Sequence, residues 1–220
     1  VHNSRIISSN QTGIHQQLES VVRRHLHTRF RRPYTDHSLR VFEQINKIVS
    51  AHTGALILDS FCGVGESTRQ LAHDNPEALV IGIDKSSHRL DKHAAHYRQP
   101  DIENYQLVRA DADDFWRLAV DAGWRLDQHF LFYPNPWPKA RQLKRRCHGS
   151  PLFPTLLKLG GRLELRSNWP LYVEEFAHAL SFAGYSAEAS PCQTTTAITP
   201  FERKYLNSGH ALWRCVCKLD

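Results

Sequence analysis

The sequence predicts an α/β protein of Rossmann-like type, a mostly parallel sheet with helices on both faces. Three observations predict it. From residue 55 onward, short apolar runs recur, separated by helical stretches; strands covered on both faces read as such unbroken runs. The first run ends in a turn, Cys62-Gly63-Val64-Gly65, whose glycines allow a tight reversal and a close approach to the backbone. Polar residues gather just after the runs, and ligands of parallel sheets sit beyond the carboxyl ends of their strands.

Residues 1–13 read as a loose polar arm. Ile14, Leu18, Val21, Val22 and Leu26 recur at helical spacing and predict a helix over 14–27. A basic linker, Arg29 to Pro33, precedes a second helix over 35–50 with Leu39, Phe42, Ile45 and Val49 inward. Strands follow at 55–58, 79–83, 105–108, 130–133 and 162–166, the last more alternating than the others. Cys215 and Cys217 alternate on a final strand, which His210 is expected to begin. Residues 1–50 are expected to be an arm and helices belonging to the same domain as 51–220.

The 220 residues are 41% hydrophobic with a net charge of +6 and 14 histidines. That is enough chain for one sizeable core, and the charge favours an anionic partner. No apolar run approaches the ~20 residues of a membrane span. The polar stretch Val1–Gln17 lacks the apolar centre of a signal peptide. Five cysteines with no Cys-x-x-Cys indicate neither a disulfide framework nor a zinc site. A cytoplasmic setting, no membrane partner and no metal are expected, with the chain a monomer or homodimer.

Three strand ends carry acids. Asp59 follows the first run, ahead of Gly63 and Gly65. Asp84 closes Gly82-Ile83-Asp84, where a carboxylate's two oxygens can accept from both hydroxyls of a ribose. Asp111, before Ala112, can accept from an adenine amino group. Together they predict an adenosine ligand. The loop is not a Gly-x-x-x-x-Gly-Lys phosphate cradle, nor does it supply three glycines for a dinucleotide. Its acids, Asp59 and Glu66, would repel a pyrophosphate but suit a sulfonium and an ammonium. S-adenosyl-L-methionine is therefore the expected cofactor. The competing role for Asp59 and Asp111 is helix capping.

The run Pro134-Asn135-Pro136-Trp137-Pro138-Lys139-Ala140-Arg141, continuing to Lys144-Arg145-Arg146, holds an amide and an indole on a proline-rigid turn beside dense positive charge. That combination suits a nucleobase on a nucleic-acid backbone. Lys139, Arg141, Lys144, Arg145 and Arg146 are the candidate phosphate contacts, against the alternative of a solvated basic face. Arg23, Arg24, Arg29, Arg31 and Arg32 would extend that surface or simply be exposed. Trp137 serves either as a stacking platform or as an anchor for its loop.

Over residues 55–218 the chain resembles the bacterial tRNA (guanine-N7-)-methyltransferases. The resemblance is carried by the Asp59 loop, the Asp84 end, Asp111-Ala112 and the Pro134–Arg146 segment. Gly160-Gly161-Arg162-Leu163, Ser167-Asn168-Trp169 with Tyr172, and Thr199-Pro200-Phe201-Glu202-Arg203 with Gly209-His210 extend it. It implies the class I S-adenosylmethionine-dependent methyltransferase fold and methyl transfer to the variable-loop guanine of tRNA or another structured RNA. Carried over residue by residue, Asp59, Gly63, Gly65, Asp84, Asp111, Ala112 and Asn135 shape the cofactor pocket. Asn135 is also the candidate catalytic residue, facing cofactor and base. Lys139, Asn168, Thr199 and Glu202 would bind the acceptor, Glu202 alternatively taking the cofactor's ammonium.

The chain also departs from that pattern. Asn135 and Asn168 stand where the family usually has Asp, Asp59 where Glu is usual, and Phe61 where glycine is usual. A carboxylate would accept from guanine N1–H and N2–H₂, whereas an amide offers one uncharged acceptor. Two such replacements weaken guanine recognition by roughly 3 kcal/mol, about a hundredfold. Asn135 beside Pro136 and Trp137 loosely resembles the Asn-Pro-Pro-aromatic motif of amino-group methyltransferases, so methylation of another nucleic-acid group ranks second. A relative that binds RNA without catalysis ranks third.

Overall fold

The computed structural model describes residues 4–97 and 99–219. Among them seven strands form one sheet in the order β3-β2-β1-β4-β5-β7-β6. The strands are β1 (Leu56–Ser60), β2 (Leu79–Asp84), β3 (Tyr105–Arg109), β4 (Gln128–Phe132), β5 (Gly161–Ser167), β6 (Glu188–Pro191) and β7 (Trp213–Leu219). The first five are mutually parallel, so all their carboxyl ends lie along one edge. β7 runs antiparallel to β5 and β6 antiparallel to β7. The expected mostly parallel sheet is what the structure contains.

The helices are α1 (Leu18–Leu26), α2 (Asp36–Ala51), α3 (Glu66–Asp74), α4 (Ser87–His96), α5 (Ala112–Asp121), α6 (Phe153–Lys158), α7 (Pro170–Phe182) and α8 (Pro200–Asn207). Alternation along β1 and β2 splits the core in two. Leu56, Leu58, Leu79, Ile81 and Ile83 join Val22 of α1, Phe42 of α2, Phe115 of α5, Leu156 of α6 and Phe176 of α7. Ile57 and Val80, pointing the other way, meet Leu71 and Ala72 of α3 together with Phe130 and Phe132 of β4. Both faces of the central strands are thus dry, and their polar residues Asp59, Ser60 and Asp84 come only at the carboxyl ends.

Two expected core positions are corrected. Ile14 lies outside α1 and is 37% exposed, and Leu39 on α2 is 44% exposed; Ser38 takes the inward place instead. Thr35 caps α2, and both Thr35 Oγ1 and the Asp114 carboxylate meet the Ser38 hydroxyl. A polar contact therefore decides the phase of that helix turn. The final strand begins at Trp213, not at His210. β6 is short and half-exposed, with too little apolar pattern to be read from sequence.

Residues 4–13 have no regular secondary structure, but they are docked, not loose. The Ser4 amide donates to the Ser208 hydroxyl, and Ser9 Oγ donates to the Pro138 carbonyl. Asn10 Oδ1 accepts from the Ala140 amide at 3.0 Å, and Gln11 bonds both Arg146 and Glu175. A polar arm has no apolar period to signal docking, because polar side chains hold it.

Candidate active site

The acids predicted at the ends of β1, β2 and β3 fall on adjacent strands of one edge. Asp59 is fully buried. Its Oδ2 accepts from the Ser67 hydroxyl at 2.6 Å and from the Thr68 hydroxyl at 2.7 Å, while Oδ1 has no partner. Burial pushes its pKa up to about 6; the two hydroxyls pull the other way, and the neighbouring charge of Asp84 adds to the rise. Ser67 and Thr68 were not anticipated, although they lie within the first turn after Gly65, where side chains point back toward β1.

Asp84 organises the loop from the neighbouring strand. Its Oδ2 accepts from the Gly63 amide at 3.1 Å and its Oδ1 from the Ser86 amide at 2.8 Å; Arg89 Nη1 approaches Oδ2 at 3.3 Å. With two lone pairs on each oxygen, Oδ1 can accept one further bond, whereas the two donors on Oδ2 already fill it. Gly65 begins α3 at φ +76, and a Cβ there would lie 2.6 Å from Leu107 and 2.9 Å from His93. Glycine is required both for the left-handed conformation and for the close fit. Phe61 is left-handed as well, at φ +64, its ring edge-on to Trp116 at 5.8 Å. Asp111 caps α5, accepting from the Asp113 amide, while its carboxylate lies 3.7 Å from Arg32. Ala112 is the first residue of α5 and is buried.

A second group follows β4 and β5. Asn135 is exposed, three residues beyond β4 on the proline-rich loop. Trp137 is half-buried at φ +46 with the Arg145 guanidinium 4.8 Å from its ring centre. Lys139 is exposed at the start of a 3-10 turn over Ala140–Arg145. Asn168, one residue past β5, is half-buried with Nδ2 3.1 Å from His210 Nδ1; the far nitrogen of that ring is 3.0 Å from the Ser4 carbonyl.

Thr199 caps α8 by accepting from the Glu202 amide. Glu202 is completely buried. Its Oε1 accepts from Tyr133 Oη at 2.7 Å and Arg166 Nη1 at 3.0 Å, and its Oε2 accepts from the Ile198 amide at 2.6 Å. Burial and then the Glu202 charge hold the Tyr133 phenol far above its ordinary pKa. Glu202 thereby ties α8 to the ends of β4 and β5, while Arg203 pairs with Glu66 at the start of α3. Glu66 keeps one buried carboxylate oxygen without a partner.

Arg146 corrects the sequence reading in another way. It is neither a free phosphate contact nor a solvated residue, because its side chain is completely buried. It pairs with Glu175 and donates to the carbonyls of Trp137 and Lys139 and to Gln11 Oε1. Glu175 also takes the His15 amide and His148 Nε2. Burial raises the Glu175 pKa, but His148 and then Arg146 outweigh it and bring the carboxyl down to about 2. Arg32 is likewise committed, its guanidinium 2.7 Å from the buried Asp114.

The orphaned oxygens of Asp59 and Glu66 fit a ligand carrying hydrogen-bond donors and positive charge, the character of an amino-acid ammonium. Sheet order, glycine turn and acidic strand ends define a class I S-adenosylmethionine-dependent methyltransferase fold. A family model described as a putative methyltransferase matches residues 53–215, and the chain belongs to that family. Among curated relatives, a tRNA (guanine-N(7)-)-methyltransferase of Stutzerimonas stutzeri is 32% identical over 161 residues, 69% of this chain and 67% of that protein. One of Burkholderia ambifaria is 30% identical over 73% of this chain, an alignment spanning 65% of that protein. Among solved structures, the 16S rRNA methyltransferase KamB superposes with a TM-score of 0.58 at 17% identity, covering 86% of this chain and 96% of that one. A variant of the 16S rRNA (adenine(1408)-N(1))-methyltransferase of Catenulisporales acidiphilia, solved with its cosubstrate, gives 0.56 at 18% identity over 86% and 93%. These two likenesses concern the fold.

Proposed function

We propose that this methyltransferase transfers a methyl group from S-adenosyl-L-methionine to N7 of a guanine in structured RNA, a tRNA variable loop being the first substrate to test. The observation that carries the reading is the proline-rich loop beyond β4, on which Asn135, Lys139 and Arg141 are exposed within seven residues of one another. The names of the curated relatives, tRNA (guanine-N(7)-)-methyltransferases 30% and 32% identical over 167 and 161 residues, support the choice of acceptor.

Guanine N7 is a lone-pair nucleophile with no proton to lose, so the reaction asks for no general base. The cofactor supplies an electrophilic methyl carbon on sulfur. Asp59 and Glu66 would hold its ammonium and Asp84 its ribose. The remaining work is positioning, with N7 held in line and water excluded. Asn135 and Asn168, on loops after adjacent strands, would bind the guanine edge through their amide oxygens. Asn135 also favours a second reading, methylation of an exocyclic amine, because an amide oxygen accepts an amino hydrogen without charge.

Nucleoside mass spectrometry after incubation with tRNA and isotopically labelled S-adenosylmethionine distinguishes the two. Labelled 7-methylguanosine is expected. The Asn135→Asp/Asn168→Asp double variant should form it faster, by up to about a hundredfold if two charged acceptors are restored. Label on an exocyclic amine would establish the second reading, and no labelled nucleoside in any RNA would remove both.

A further inference from the structure

The arginines between residues 23 and 32 divide into two sets. Arg23 is paired with Glu19 on its own helix, and Arg32 is held by Asp114. Arg24, Arg29 and Arg31 are exposed, with no ion-pair partner among the described residues. All three unpaired arginines line one cleft of about 350 Å³, together with His25, Thr28, Phe30, Pro151 and Lys144. Lys144 is also exposed and unpaired, and it comes from the far end of the chain's proline-rich loop. No acidic residue lines the cleft.

Complementing the carboxyl end of α1 accounts for Arg24 alone, since that effect fades within the last turn. It does not account for Arg29 and Arg31, beyond the helix, or for Lys144. Four cations converging without counter-charge repel one another and await an anion. The His25 ring on the same cleft feels that field: burial, and then the charges of Arg24 and Lys144, lower its pKa. The cleft is also continuous with the acceptor side. Lys144 shares its 3-10 turn with Arg141 and Arg145, and Arg145 lies over Trp137, two residues from Asn135.

We infer that the cleft formed by Arg24, Arg29, Arg31 and Lys144 is a docking groove for the phosphodiester backbone of the acceptor RNA, apart from the loop that would meet the reacting base. The inference rests on the RNA reading above and adds to it where a second segment of the same RNA is held. Phosphates take no sequence information from such a groove; they set register, so that the target base reaches the loop of Asn135.

The test compares wild type with an Arg24→Ala/Arg29→Ala/Arg31→Ala variant, with Lys144→Glu, and with an Arg40→Ala/Lys92→Ala control on α2 and α4. Fluorescence anisotropy with labelled tRNA is measured between 50 and 200 mM salt. S-adenosylmethionine binding is followed separately by calorimetry. The triple variant should bind RNA at least about tenfold more weakly, its log–log salt slope flatter by roughly 2 to 3, the loss of three phosphate contacts. Lys144→Glu, on a different element, should also weaken RNA binding, while the control and cofactor binding stay as in wild type. An unchanged slope in the triple variant, or an equal loss in the control, overturns the groove. Anionic vesicles that bind wild type but not the triple variant, with RNA affinity unaltered, would reassign the groove to lipid and overturn it too. A wild type that binds no RNA at all would instead remove the functional reading beneath it.

Discussion

The affinity for S-adenosylmethionine should depend on pH through Asp59. In the free protein this carboxyl titrates near pH 6, because it is fully buried, with one oxygen unpartnered and Asp84 close by. Relative to an ordinary Asp at 3.8, the rise corresponds to about 3 kcal/mol of penalty on the ionised form. The folded state binds the proton more tightly than the unfolded chain does. This group's contribution to stability is therefore greatest below pH 3.8 and declines as pH rises to about 6. An ammonium donor offsets the penalty, so binding requires the ionised carboxylate. The dissociation constant should be close to its plateau at pH 7, about twofold weaker at pH 6 and roughly tenfold weaker at pH 5. Proton release follows the same curve, roughly half a proton per cofactor bound at pH 6. Isothermal titration calorimetry in two buffers of different ionisation enthalpy measures both quantities. The Asp59→Asn variant should bind more weakly at pH 8 and lose the dependence. A wild-type affinity flat from pH 5 to 8, with no buffer-dependent enthalpy, would refute the assignment of Asp59 to the cofactor's cation.

Two other expectations concern the buried charges. Glu202→Gln leaves Arg166 facing an uncharged amide and sets an N–H₂ group against either Tyr133 or the Ile198 amide; chemical denaturation should show a loss of about 2–3 kcal/mol, and a loss under 0.5 kcal/mol would mean the node is slack. Arg146→Met strands Glu175 and frees the carbonyls of Trp137 and Lys139, so stability should fall by about 3–5 kcal/mol. Wild type should lose the Glu175 contribution only as pH falls from 4.5 toward 2. The variant, lacking the guanidinium, should lose its share at higher pH, an order that acid unfolding followed by circular dichroism would check.

The parallel sheet was legible because its strands are apolar on both faces, and burial on both faces leaves few ways to write such a segment. The acidic strand ends were legible for a related reason: Asp59, Asp84 and Asp111 each interrupt or end an apolar or small-residue stretch. Phe61 shows where local reading stopped. The glycine usual at its position matches the φ of +64 that Phe61 adopts, a conformation that strains a residue with a Cβ by about 1 kcal/mol. The backbone requirement persisted after the residue changed, and only coordinates reveal it.

Sequence alone determined the class of fold and the acids that stand at its carboxyl strand ends, because those follow from hydrophobic period and strand-end position. It could not say which of many identical charges are free. Arg145 and Arg146 are neighbours in one basic run, yet one lies exposed over an indole and the other is buried against Glu175, 29 residues away. Arg31 and Arg32 divide in the same manner, one lining an open cleft and the other meeting Asp114. The arm of residues 4–13 is ordered by partners at 138–146, 175 and 208–210. Charge and hydrogen bonding act over a few ångströms, whatever the separation along the chain. Only the tertiary structure, which chooses those neighbours, decided which cations hold the protein together and which stand exposed without a counter-charge.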